Sequence, residues 1–127
     1  FAEPSRFPSA KRVILGEYQD RAKEVPAGAF VAIMTHGHAR DEVVLREVAA
    51  HDPPLPYIGM IGSVKKVPVI FKKLASEGIA VGNNVYSPIG LELGGNSPSE
   101  IALSIAAECL DVRHGKNALA HCRERLK

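Results

Sequence analysis

Phe30-Val31-Ala32-Ile33-Met34-Thr35, followed by His36-Gly37-His38-Ala39-Arg40-Asp41, decides the fold of this chain. The run from Phe30 to Thr35 carries no charge and no breaker, and Pro26 and Gly28 stand just before it. A short continuous apolar run between turn signals is the pattern of a strand buried on both faces, as in a parallel sheet. Asp41 is then expected to cap a helix in which Val44, Leu45, Val48 and Ala49 share one face. His51-Asp52-Pro53-Pro54 stops that helix, because proline cannot continue it.

The same unit repeats downstream. Tyr57 to Ile61 reads as a second buried strand, ended by Gly62-Ser63. Val67, Ile70, Phe71 and Leu74 then fall at i, i+3, i+4 and i+7 of a helix, with Pro68 in its first turn and Gly78 as its stop. Val85-Tyr86-Ser87 is a short last strand. Ser97-Pro98-Ser99-Glu100 is a capping box, with Ser97 at the N-cap, Pro98 at N1 and Glu100 at N3. The helix it opens runs to about His114 and is apolar nearly all round, so it is expected to be largely buried. Gly115 ends it, and residues 116–127 follow as a polar terminal helix with a basic end. Upstream, Val13-Ile14-Leu15 reads as a strand ended by Gly16, Tyr18 to Glu24 as a helical turn, and residues 1–10 as an irregular connection.

Strands alternating with helices imply an α/β fold: a mostly parallel sheet with helices on its faces. Such sheets bind ligands beyond the carboxyl ends of their strands. Three loops leave those ends here, at residues 35–41, 62–66 and 87–97, and they hold most of the unusual residues. The 127 residues suffice for one domain with a real core. Sixteen basic against 14 acidic residues leave a net charge of +2, too weak to imply nucleic acid or a membrane surface. No apolar run is long enough to span a bilayer. Cys109 and Cys122 lack C-x-x-C spacing and read as reduced thiols of a cytoplasmic protein. Phe1 in place of Met leads to the expectation of a fragment or a processed chain.

Each loop has a functional reading and a plain one. Thr35, Gly37, His38 and Asp41 can contact a ligand; with His36 the set could also bind a metal, or the histidines simply face water, and no metal role is assigned. Gly62, Ser63 and Lys66 offer backbone N–H groups, a hydroxyl and a cation at a helix start, which suits a phosphate; the plain reading is a Gly-Ser turn beside solvated lysines. The third loop, with Pro88, Gly90, Gly94 and Gly95, is dense enough in glycine to favour close approach of a ligand over a mere connection. Glu108, inside an apolar helix, is either an acid or base of raised pKa or, the favoured reading, a residue at the helix edge or paired with a base.

Thr35-x-Gly37-His38-x-x-Asp41, Tyr57-Ile58-Gly59-x-Ile61-Gly62-Ser63, Ser87-Pro88-Ile89-Gly90-Leu91 and Pro98-x-Glu100-Ile101-Ala102-x-Ser104-Ile105-Ala106-Ala107-Glu108 together resemble the XdhC/CoxI family. The family comprises accessory proteins of xanthine dehydrogenase and related molybdenum hydroxylases, and the likeness runs from about Phe1 to Gly115. It implies a Rossmann-like three-layer fold over 1–127 in which the first βαβ unit, with its glycine-rich turn, is missing. In the usual 3-2-1-4-5-6 order the absent strands would lie between Val13–Leu15 and Phe30–Thr35, so those strands or another subunit are expected to cover an apolar sheet edge. The resemblance also implies a cytoplasmic, often dimeric protein that binds molybdenum cofactor (molybdopterin), supports its sulfuration and delivers it to the apo-hydroxylase. Rival readings are an NAD(P)-dependent oxidoreductase with His38 or Glu108 as acid/base, and a metal-dependent enzyme using His36, His38 and Asp41.

Overall fold

The computed structural model describes residues 2–115. After a 3₁₀ turn at Pro4–Arg6, the elements run α1 (Tyr18–Ala22), β1 (Phe30–Ile33), α2 (His38–Ala49), β2 (Tyr57–Met60), α3 (Val67–Ser76), β3 (Val85–Tyr86) and α4 (Pro98–His114). The strands form one parallel sheet in the order β1-β2-β3. Phe30 lies opposite Tyr57, Ile33 opposite Met60, and Gly59 opposite Tyr86. The expectation of an α/β, Rossmann-like, parallel architecture is met.

Period-two alternation gives the sheet two different faces. Ile33, Ile58 and Met60 point to one side, where Leu45 and Val48 of α2 and Ile70 and Leu74 of α3 close the main core. Leu45, Ile58 and Leu74 are wholly buried, and truncating any of them to alanine costs about 2–5 kcal/mol. Glu42 pairs with Lys73 at 3.1 Å and Arg46 with Glu77 at 2.7 Å, tying α2 to α3. On the other side the rings of Phe30, Tyr57 and Tyr86 stack across all three strands, with centroids 5.5 and 5.0 Å apart. Glu108 of α4 is bonded to Tyr57, so α4 belongs to this third layer.

Several expectations are corrected. β1 is buried on one face only: Ile33 is 2% exposed, whereas Met34, just beyond the strand, is 52% exposed. Its outer edge has no strand partner among the described residues, so the residues beside it lack cover. α4 is not largely buried; Ser104 and Glu108 are its buried residues, and Leu103 and Leu110 face outward. A helix apolar all round has more apolar surface than one narrow sheet can cover. Val13–Leu15 forms no strand, because no described strand lies beside it to complete a ladder, and Leu15 is exposed. Asp41 is not the cap of α2; Gly37 holds that position and Asp41 lies one turn inside. The proposed terminal helix at 116–127 lies outside the described residues.

Candidate functional site

Because the strands are parallel and adjacent, their carboxyl ends open onto one rim. Backbone bonds carry the pairing past the strands: Ile61 N–H donates to Ile33 O at 3.1 Å, and Ile89 N–H to Met60 O at 3.0 Å. Ser87 Oγ also donates to Met60 O, at 2.8 Å. The 35–41 and 62–66 loops touch through side chains, with Lys66 Nζ 3.0 Å from His38 Nε2.

In the first loop, Asp41 is 2% exposed, and its Oδ1 accepts from both Thr35 N (2.9 Å) and Thr35 Oγ1 (2.6 Å). That carboxylate therefore fixes the turn between β1 and α2. Gly37 O accepts the first backbone bonds of the helix, and no side chain caps its N-terminus. His38, the first helical residue, is exposed. In the second loop Ser63 Oγ accepts from Lys66 N at 3.2 Å, so this hydroxyl supports the entry to α3. Among the described residues no three His, Cys, Asp or Glu side chains converge as a metal site.

The third loop has a pinned base and an open arm. At the base, Glu108 Oε1 accepts from Tyr57 Oη at 2.7 Å and from Gly90 N at 3.0 Å, and Leu91 N–H donates to Ser104 O at 3.2 Å. Two glycines make this packing possible. A Cβ on Gly59 would strike the Ile89 side chain and the Tyr57 hydroxyl; Gly90 has φ +97° and lies against Ser104 Oγ. Burial raises the Tyr57 pKa above the usual phenol range, and the adjoining Glu108 carboxylate adds to the rise. Past Leu91 the arm of residues 92–96 is exposed. It walls a cleft of about 320 Å³ with Gly62 and Pro88, lined by Ile61, Ile89, Leu91, Glu92, Gly94, Gly95 and Asn96.

α4 begins beside this cleft and is closed upon itself. Ser97 Oγ accepts from Glu100 N (3.3 Å), and Glu100 Oε2 accepts from Ser97 N (3.1 Å), as the capping box anticipates. Those bonds from the Ser97 backbone and side chain hold the Glu100 carboxyl below its ordinary pKa, so the helix start already carries a negative charge.

Thr35, Gly37, His38, Gly62, Ser63 and Lys66 thus lie along one stretch of the rim, and Gly62, Pro88, Gly94 and Gly95 line the neighbouring cleft. Gly90 sits beneath it, tied to Glu108. Asp41 is engaged with Thr35. Glu108, weighed above as an acid or base, is 7% exposed, and its partners are a phenol and an amide rather than a cation. The reading from spacing passed over Glu92 and Asn96, which face the cleft through the conformation of their loop. It also passed over Tyr57, whose only signal was a hydroxyl at the head of an otherwise apolar strand.

A family model described as the XdhC Rossmann domain matches residues 1–109. The chain is 31% identical over 116 residues to a probable xanthine dehydrogenase subunit from Bacillus subtilis (strain 168), covering 89% of this chain and 33% of that protein. It is 28% identical over 116 residues to the uncharacterized protein YqeB of Escherichia coli (strain K12), covering 87% of this chain and 21% of that one. The crystal structure of a xanthine dehydrogenase from Bacillus halodurans superposes with a TM-score of 0.75 at 26% identity, over 99% of this chain and 36% of that one. The chain therefore spans about a third or less of the length of these relatives.

Proposed function

Since this chain belongs to the XdhC Rossmann domain family, we propose that it is the cofactor-handling module of an accessory protein for xanthine dehydrogenase or a related molybdenum hydroxylase. In this reading it binds molybdenum cofactor, supports its sulfuration and presents it to the apo-hydroxylase. The names of the Bacillus relatives support a link to a xanthine dehydrogenase system. Action in the cytoplasm and as a homodimer belong to the same proposal. In the described residues no helix is long and apolar enough to cross a membrane.

The observation that carries the reading is the shared rim. At one side the N-terminus of α2 has no side-chain cap and stands beside Lys66 and His38. A helix start with a cation at hand suits a phosphate. At the other side the 320 Å³ cleft is walled by aliphatic side chains and glycine backbone, which suits a flat organic ring. Molybdopterin has both parts. Thr35, Gly37, His38, Ser63 and Lys66 would hold its phosphate, and Gly62, Pro88, Gly94 and Gly95 would lie along its ring. The bound group supplies the molybdenum chemistry. The protein contributes orientation and exclusion of water, and the fixed turns at Asp41 and Glu108 keep both halves in place before binding.

The test is a titration of molybdopterin into the protein and into a Gly62→Ala/Ser63→Ala variant. A Cβ on Gly62 would crowd Val67 and intrude between the two halves, so the variant should bind at least about tenfold more weakly. Equal affinity for both proteins rejects the crevice.

A further inference from the structure

The rim is electrostatically divided, and the division assigns the two ends of a ligand. Among the described residues no cation lines the 320 Å³ cleft, and Glu92 is the ionisable side chain on its wall. Glu92 makes no ion pair among the described residues. The adjoining start of α4 already carries the Ser97 cap and the Glu100 carboxylate, whose charge offsets the pull of the helix dipole on an anion. A phosphate here would meet two carboxylates. A cation stands across Gly62, at Lys66, beside the N-terminus of α2, which has no side-chain cap.

We infer that the cleft takes an uncharged, flat nitrogen heterocycle, that Glu92 accepts hydrogen bonds from adjacent N–H donors on its edge, and that the ligand's anionic end lies toward Lys66 and His38. Resting on the function proposed above, this names the orientation and the edge that is read. Ile61, Ile89 and Ile101 supply apolar walls, and the backbone at Gly94-Gly95 leaves room for a ring face. A carboxylate has two acceptor oxygens and no donor, so it selects a ring with a paired ring N–H and amino group over one with acceptors there. Asn96, on the same wall, can serve a neighbouring ring carbonyl with its amide N–H.

Guanosine 5′-monophosphate and inosine 5′-monophosphate differ by the one amino group that Glu92 should read. Calorimetric titration of each into the protein is expected to show guanosine monophosphate binding at least about tenfold tighter, the lower end of the range for a hydrogen bond to a charged partner. Glu92→Gln, an isosteric change in an exposed loop, should erase that preference without moving the thermal transition. Lys66→Ala should weaken both nucleotides and leave guanosine itself unaffected. Equal affinity for the two nucleotides, or a preference that survives Glu92→Gln, overturns the inference. If neither nucleotide binds, the same variant is titrated with molybdopterin. Loss of affinity in Glu92→Gln then supports the assignment, and unchanged affinity sinks it while the proposed function stands. Failure of molybdopterin to bind the unaltered protein removes both.

Discussion

Removing a single oxygen, by Tyr57→Phe, probes the base of the site. The Tyr57 ring is wholly buried and stacked between Phe30 and Tyr86, so phenylalanine keeps the packing. What disappears is the 2.7 Å bond to Glu108 Oε1, leaving that atom with Gly90 N–H at 3.0 Å. A bond of this kind, to a carboxylate in a buried place, contributes about 2 kcal/mol. Glu108→Ala is harsher, since it strands both the phenol and the Gly90 amide and opens a void. Two orphaned groups at about 1–3 kcal/mol each put its cost near 4 kcal/mol. Against a total stability of about 5–15 kcal/mol, that brings the domain close to unfolding. In the double variant no phenol is left unpaired, so its cost should fall short of the sum by about 1–2 kcal/mol. Urea unfolding followed by circular dichroism measures all three, through the midpoint at constant slope. The Gly90 amide resonance should also move in Glu108→Ala. A Tyr57→Phe cost below about 0.5 kcal/mol together with strict additivity would refute the reasoning, because uncoupled groups do not share a buried bond.

Burial also holds the Tyr57 proton. Its raised pKa means a contribution to stability fully present below the ordinary tyrosine pKa of about 10 and lost as pH climbs through the folded value. Ultraviolet titration above pH 10 should therefore show a shortfall of tyrosinate in the folded protein that Tyr57→Phe removes. Gly90→Ala forces a side chain into a φ of +97° and onto Ser104, so a loss of about 2 kcal/mol or more is expected in thermal or urea unfolding. Ser97→Ala opens the capping box of α4 and should cost about 1 kcal/mol by the same measurement. The depressed pKa of Glu100 adds a direction: its support of the helix is present above the ordinary glutamate pKa and fades as pH falls through the lower folded value, which a circular dichroism titration in acid would follow.

What could be read from the sequence was local. Tyr57 to Met60 is buried throughout, as the apolar run from Tyr57 to Ile61 suggested, though Ile61 itself falls past the strand and is exposed; α3 starts at Val67 as Pro68 required. The capping box at Ser97 is present in both directions. The errors concern what lies beside an element. Apolar patterning identified β1 and α4 but carried no information on which faces find cover, so Met34, Leu103 and Leu110 were misjudged. Asp41 had the chemistry of a cap and used it on the Thr35 amide and hydroxyl instead, because the strand exit offered two donors at once. Glu108 was noticed as an oddity in an apolar helix, yet its partner lies 51 residues away, a pairing no spacing rule connects. The three loops were found because strand direction alone sends them to one end. The cleft wall at Glu92 and Asn96 was missed because it depends on how a glycine-rich arm folds over Gly62.

Nuclear magnetic resonance mapping during a molybdopterin titration tests the central claim most directly. Amides of Gly37, His38, Gly62, Ser63, Gly94 and Gly95 should shift together along one saturation curve, while those on the far side of the sheet, such as Ala49 and Glu77, stay still. Shifts confined to one loop, or spread across both ends of the sheet, would contradict a single rim that holds one ligand.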